Sequence, residues 1–507
     1  MGLKLIVGSN PIPSTKTRAG RRQRGCFAFA GVGALRHRVL GATPGATFAA
    51  PTPPPMPAPK TTPPPPAYFL SLSLENVRSF GEKQTIHFTE GGKEGGKPAQ
   101  WTVILGDNGV GKTTVLRALA AMRPIESKQG EHQFRLAYVV FDNGDWTLLT
   151  KNDNASRARV EAKVHAELMA GEGHSFSLQI TQFMMATICN VPDFDEAQSV
   201  ANLVCYGYGA SRTTGNSVIG ENPADADTCA SLFDDRADLL DPQEWFLNVD
   251  YGSRLVEPQN TSLADARKRV EQMLIAVLPG VTALKINLAG TPQKPQISLQ
   301  FLLHGTWVKL RDLSLGYQTL VVWLTDFASK LYIRYPDSKN PLAEPAIVLI
   351  DEIDLHLHPA WQRTLLADLS KIFPNTQFIA TAHSPLVVQA AGDAGANVVL
   401  LRREGDHTIV VPDLEDVRGW RIDQIMTSEL FGLETARSLG TEKKLQRRAE
   451  LLTKTKRTAA EKKELEALTR ELDAEPLGET PSEREVHAVL QELRQRLAPK
   501  GLDASAA

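Results

Sequence analysis

Three short, mainly apolar runs punctuate the chain: WTVIL (101–105), AIVLI (346–350) and QFIAT (377–381). Runs of this length, too short for helices and apolar on both faces, predict buried strands of the parallel type. FLSLSLENVRSF (69–80) alternates instead, with Leu70, Leu72 and Leu74 separated by serines, and predicts a half-buried strand paired with QTIHF (84–88). Helical spacing follows in VLRALAAM (115–122), in SLADARKRVEQMLIAVL through Val270, Leu274 and Leu278, and in TLVVWLTDFASKLY through Leu320, Leu324, Phe327 and Leu331. LLRREGDHTIVV (400–411) reads as a hairpin turning at Gly405, and FRLAYVVFDNGDWTLLT (134–150) as further hairpins. From about 438 the chain becomes charged and helical, with a capping box in TAAE (458–461) and a helix start at Pro481 in TPSE.

Strands alternating with helices predict an α/β fold with a mixed or parallel sheet. A stretch of about 123–310 carries no motif of its own and is expected as an inserted subdomain, giving a head over 67–400 and a helical region over 401–507 that offers a partner-binding surface. Residues 51–66 hold ten prolines in sixteen positions, which excludes helix and central strand and predicts an extended linker. The segment before it is basic and reads as a disordered tail or as translation assigned too far upstream of Met56, with a signal or transit sequence as the alternative.

Composition narrows the class. With 42% hydrophobic and 22% charged residues the chain is an ordinary globular one, and no apolar run reaches membrane-spanning length. The net charge of −2 is segregated. Residues 1–66 carry nine Lys or Arg and no acid, leaving 47 basic against 58 acidic side chains in the rest, a net of −11. A body of that charge is not a basic nucleic-acid binder, so DNA contact requires a local patch, a dimer groove or a partner. Cys26, Cys189, Cys205 and Cys229 form no Cys-x-x-Cys pair, which argues against a zinc knuckle and fits a reduced cytoplasm.

The chemistry begins at GDNGVGKTT. Gly106, Asp107, Asn108, Gly109, Val110, Gly111, Lys112, Thr113 and Thr114 match the complete phosphate-loop pattern between a predicted strand and a predicted helix. Backbone N–H groups there wrap phosphates at a helix N-terminus, Lys112 reaches the β- and γ-phosphates of ATP, and Thr113 binds Mg²⁺. In VLIDEIDLHLHP the buried strand ends at Asp351, a second Mg²⁺ ligand, and Glu352, a general base for water. His383 in ATAHSP follows another buried strand and is read as a γ-phosphate sensor. His356 and His358 beside it lack a fourth ligand of suitable spacing for a separate metal. Arg212 in CYGYGASRTT is read as structural, with a phosphate-facing role as the alternative.

A loop, a Ser-x-Gly-x-Gln run (Ser314, Gly316, Gln318), an Asp-Glu strand end and a switch histidine, in that order, resemble the ATP-binding-cassette ATPases. The resemblance implies a P-loop, ABC-type head in which Ser314 and Gly316 touch the ATP of a second head, hence a homodimer. The opening Leu72, Leu74, Asn76, Arg78, Ser79 and Phe80 is similar to that of RecF and structural-maintenance-of-chromosomes heads. Asp351-Glu352-x-Asp354-x-His356-x-His358-Pro359 with Ala382-His383-Ser384-Pro385 is similar to the bacterial AAA-family ATPases that include the overcoming-lysogenization-defect proteins. Within these it resembles the single-head anti-phage ATPases of the Septu type, which implies a partner effector, an HNH-type nuclease. A RecF-like ATPase acting on DNA directly, and a scaffold that binds ATP without turning it over, are the alternatives.

The departures are specific. An extra loop, YPDSKNPLAEP, follows the signature helix, and no lobe-connecting glutamine can be assigned. Intrinsic nuclease activity is not expected: the acidic run 413–417 lacks a positioning strand, and Arg402-x4-His407 falls on a hairpin rather than a helix.

Overall fold

The structure, a computed structural model, describes residues 4–8, 66–126, 134–136, 162–170, 174–183, 186–190, 203–212, 228–255, 262–291, 294–412, 414–433 and 435–473. The apolar runs form the centre of a six-stranded sheet in the order Cys205–Tyr208, Ala346–Ile350, Thr376–Thr381, Trp101–Gly106, Asn397–Glu404 and His407–Val410. The first five strands run parallel, and the sixth returns antiparallel from the turn at Gly405. This is the α/β P-loop architecture the pattern implies.

Both faces of this sheet are covered, which is why its strands read as continuous apolar runs. Trp101, Val103, Val348, Ile350 and Phe378 face a core shared with the helices Pro242–Leu255, Ser262–Val277, Leu315–Arg334 and Leu365–Ile372. Ile104, Ile347, Leu349 and Ile379 face the helix Lys112–Ala121 and a second, antiparallel sheet. Trp101 and Phe378, paired on adjacent strands, stack at 4.2 Å.

The second sheet runs in the order Lys4–Gly8, Ala186–Asn190, His174–Phe183, Ala162–Ala170, Ala67–Glu75 and Gln84–His87. A bulge between Phe69 and Ser71 puts Phe69 on the same core face as Leu72 and Leu74, opposite Leu168, Ala166 and Val164. The serine face is not open to solvent as the alternation predicts. Ser71 and Ser73 are buried, bonded to Glu167 at 3.2 Å and to Thr85 at 2.8 Å.

Three boundaries differ from the sequence reading. Lys4–Gly8, assigned to the basic tail, pairs as an edge strand through KLIVG, whose branched residues suit an extended chain. Residues 9–65, with the proline run, lie outside the described residues, as do 137–150 and TPSE. The described part of 123–310 is not a separate body. It supplies strands to the antiparallel sheet, the edge strand Cys205–Tyr208 of the parallel sheet, and helices to the core. The head also continues past 400, because Val411, Val417, Ile425 and Leu430 join that core.

Just before the signature helix lies a three-stranded meander, Val281–Thr291, Lys294–Leu303 and Thr306–Lys309. At the far end, Leu439–Thr453 and Ala459–Asp473 form a helical hairpin. Its capping box is formed as the spacing predicts: the Thr458 N–H donates to Glu461 at 2.9 Å and the Glu461 N–H to Thr458 at 3.2 Å. Among the described residues no helix is long and apolar enough to cross a membrane.

Candidate nucleotide site

Four neighbouring strands end on the same edge of the parallel sheet, and each end carries a motif. Gly106 begins the phosphate loop, Ile350 leads to Asp351, Thr381 leads to His383, and Tyr208 leads to Arg212. Ligands of open α/β sheets gather at such carboxyl ends.

The loop is held open by its glycines. Gly106, Gly109 and Gly111 sit at φ 143°, 81° and 99°, where side chains are disfavoured. A Cβ on Gly106 would lie 2.3 Å from the Leu401 carbonyl oxygen, and one on Gly111 would meet the Ser79 hydroxyl at 2.5 Å and the Phe80 ring at 2.9 Å. Ser79 and Thr408 both donate to the Val110 carbonyl, at 3.2 and 2.8 Å. The opening motif thus forms the floor of the loop, a role that its sequence resemblance did not explain. Asp107, Asn108 and Gly109 are exposed, whereas Val110 and Thr114 are buried.

Lys112 is 7% exposed and donates to the Gly106 and Asp107 carbonyls at 2.7 and 2.9 Å, folded onto its own loop. Burial pulls its ammonium below the ordinary lysine value, opposed by Asp351, Glu352, Asp107 and Asp354. A polyphosphate is the counter-charge such a cation fits. Thr113 donates to Asp351 Oδ2 at 2.7 Å, and Thr381 donates to Asp351 Oδ1 at 2.6 Å. One hydroxyl and one carboxylate suit Mg²⁺, which takes few protein ligands and completes its shell with phosphates and water.

Glu352 follows in the left-handed region, at φ 50°, and its N–H donates to the Thr381 hydroxyl at 2.7 Å. The His383 ring is exposed, while its N–H donates to Asp354 Oδ2 at 2.9 Å. Asp354 is a site residue whose role is not legible in the sequence. Its other carboxylate oxygen is buried with no hydrogen-bond partner among the described residues. Arg212 is buried, and among the described residues it reaches backbone carbonyls. Its Nη2 donates to the Asp351 and Glu352 carbonyls, the latter at 2.9 Å, and its Nε to Gly209 at 3.0 Å. Burial lowers its guanidinium to about 10 against the pull of Asp351, Asp354 and Glu352. His358 caps the turn Pro359–Gln362 by accepting the Ala360 N–H at 3.2 Å.

The signature residues sit at the start of Leu315–Arg334. Ser314 occupies the N-cap position, yet its exposed hydroxyl makes no cap bond. Gly316 lies against the loop after Glu352, where a Cβ would be 2.5 Å from the His356 carbonyl oxygen. Gln318 turns its amide back to the Leu313 and Arg311 carbonyls, at 2.6 and 3.3 Å, fixing the turn that presents Ser314.

Residues 228–389 match the family described as "AAA domain, putative AbiEii toxin, Type IV TA system", and residues 71–123 match a family described as "AAA domain". The chain is 27% identical over 338 residues to the Septu protein PtuA of Bacillus mycoides, covering 66% of this chain and 41% of that protein. It is 38% identical over 122 residues to the "Retron Vc95 probable ATPase" of Vibrio cholerae, covering 24% and 23%. A second Septu protein PtuA, from Bacillus thuringiensis, is 32% identical over 132 residues, covering 25% and 33%. The matches span less than half the length of these relatives.

Among solved structures, an Smc head bound to the C-terminal winged-helix domain of ScpA aligns at 15% identity and a TM-score of 0.38, covering 68% of this chain and 97% of that one. RecF with an ATP analogue aligns at 12% and 0.36, covering 69% and 99%. Two segments of the chain thus match AAA domains, and over two thirds of its length the chain is similar to a Septu PtuA protein.

Proposed function

We propose that this chain is an ABC-type ATPase that works as a homodimer of heads in the cytoplasm, where ATP binding and hydrolysis control a partner effector, an HNH-type nuclease, in defence against phage. The observation that carries the dimer is Ser314. Its hydroxyl is exposed at a helix start and makes no cap bond, while the loop, Thr113, Asp351 and Thr381 already form one cluster on the same head. A signature serine with no work on its own head is available to the nucleotide of a second one.

In this reading the loop N–H groups and Lys112 hold the β- and γ-phosphates of ATP, and Thr113 and Asp351 hold Mg²⁺. The metal supplies charge neutralisation on the phosphates. Glu352 accepts a proton from the attacking water, His383 contacts the γ-phosphate, and Ser314 with Gly316 closes the site of the facing head. The similarity to Septu PtuA supports the defence role, and the resemblance to the Septu-type anti-phage ATPases implies the nuclease.

The test is sedimentation of Glu352→Gln with and without ATP. An ATP-loaded dimer that does not come apart is expected, and a persistent monomer with ATP bound would overturn the reading. Capture of a nuclease by the tagged chain from its own host, with ATP present, tests the effector.

One observation favours a second reading, direct action on nucleic acid. Residues 272–311 contain no Asp or Glu but include Lys285, Lys294, Lys309 and Arg311, in a body that is acidic elsewhere. The register of the meander places Lys285, Gln300 and Lys309 in one row beside Ala283, Leu302 and Trp307 on the same face. Lys285 lies over the exposed Trp307 ring at 3.9 Å. Cations next to a stacking surface suit a single strand. Binding of a labelled oligonucleotide that falls steeply with salt, and at least tenfold in Trp307→Ala, would support this reading. No binding at low salt would remove it.

A further inference from the structure

We infer that Arg212 is a positioning residue for Glu352, clamping the backbone that aims its carboxylate. The inference rests on the general-base role proposed for Glu352.

Glu352 pays a conformational cost where it stands. A non-glycine residue at φ 50° is strained, by about 1–3 kcal/mol in general, and such strain persists only where surrounding contacts over-determine it. The contacts are present on both sides of the residue. Its N–H is held by the Thr381 hydroxyl at 2.7 Å, and its carbonyl by Arg212 Nη2 at 2.9 Å. The same Nη2 donates to the preceding carbonyl, that of Asp351, so one guanidinium nitrogen bridges the two peptides flanking the turn.

The anchoring of Arg212 fits that task better than filling space. Nε donates to the Gly209 carbonyl at 3.0 Å, which ties the clamp to the end of the edge strand Cys205–Tyr208. That strand is itself locked to the site by the Asp351 N–H, which donates to the Tyr208 carbonyl at 2.8 Å. Arg212 is 4% exposed, and every hydrogen bond described for it ends on a backbone carbonyl. Burying a cation is expensive, and an apolar side chain would fill the same volume more cheaply. What an apolar residue cannot do is bridge successive carbonyls from fixed directions. A lysine supplies a compact point charge in place of that planar fork.

The test compares Arg212→Ala and Arg212→Lys with the parent chain, alone and combined with Glu352→Gln. Turnover, ATP affinity by a fluorescent nucleotide, and melting temperature are read for each. A displaced carboxylate is expected to lower kcat about 100-fold, with ATP affinity within about threefold of the parent. Arg212→Lys should remain folded yet recover less than about a tenth of the parent rate. Millimolar guanidinium should restore part of the rate to Arg212→Ala. On the Glu352→Gln background the Arg212 substitutions should lower turnover no further, because the group being aimed is gone.

Loss of ATP affinity in proportion to kcat would make Arg212 a phosphate contact and overturn the inference. So would unchanged kcat in Arg212→Lys at unchanged melting temperature, or a further loss on the Glu352→Gln background. Parent-like turnover in Glu352→Gln alone would sink the general-base role, and the inference with it. Slow Glu352→Gln with unaffected Arg212 variants would sink only the inference.

Discussion

Thr113 and Asp351, 238 positions apart, are joined by a 2.7 Å hydrogen bond from the threonine hydroxyl to the carboxylate. The bond couples the first turn of the loop helix to the end of the next-but-one strand, and Thr381 fixes the second carboxylate oxygen at 2.6 Å from the strand between them. Asp351→Asn keeps the shape and removes the charge. The Mg²⁺ concentration for half-maximal turnover should rise at least tenfold, with kcat down about 100-fold. Unchanged Mg²⁺ dependence in a metal titration would contradict the assignment.

Ser314→Ala removes an exposed hydroxyl that makes no cap bond and has no hydrogen-bond partner among the described residues. Stability should change by less than about 0.5 kcal/mol, as at ordinary surface positions. ATP-driven dimerisation should nevertheless be lost while each monomer still binds ATP. Sedimentation with nucleotide separates the two properties.

Gly316→Ala makes the contrasting prediction. Its Cβ would meet the His356 carbonyl oxygen at 2.5 Å, so the signature helix or the loop after Glu352 must move. A cost of about 1–3 kcal/mol is expected from such overpacking, together with loss of the dimer. Chemical denaturation and sedimentation read the two effects.

Glu352→Gly should raise stability by up to about 1 kcal/mol while abolishing turnover. Glycine relieves the left-handed backbone at φ 50°, and its own entropy cost offsets part of the gain. A strongly destabilised Glu352→Gly would show that the carboxylate, not the backbone, holds this turn.

Asp326 is buried in the signature helix. It accepts from the Tyr208 hydroxyl at 2.8 Å and the Leu240 N–H at 3.2 Å, and pairs with Lys330 at 2.8 Å. Asp326→Ala leaves a largely buried lysine and two donors without their acceptor. The expected loss is about 3–5 kcal/mol in denaturant unfolding. Tyr208→Phe removes one donor and should cost much less.

Local pattern carried a good part of the fold. Five-residue apolar runs became the inner parallel strands, Gly405 became the hairpin turn, and Thr458 with Glu461 became a capping box, because each depends on residues close in the chain. The edge strand Cys205–Tyr208 escaped notice: four residues with a central glycine carry no periodicity, and only pairing with Ala346–Ile350 makes them a strand. The extent of the insertion is not legible in the sequence for a related reason. A motif-free stretch looks autonomous until its apolar side chains are seen packing into the same core as the parallel sheet.

At the site, the chain by itself determined which chemical groups are present and where each stands relative to its strand end. The phosphate loop, Asp351-Glu352 and Ala382-His383 are contiguous motifs whose backbone requirements are written in neighbouring glycines and apolar runs. Only the tertiary structure decided what supports them. Ser79 and Thr408 beneath Val110, Thr381 between Asp351 and Glu352, and Arg212 across two carbonyls all come from distant segments. Their hydrogen bonds depend on which strands lie side by side, and strand order is set by burial of whole faces rather than by any local signal.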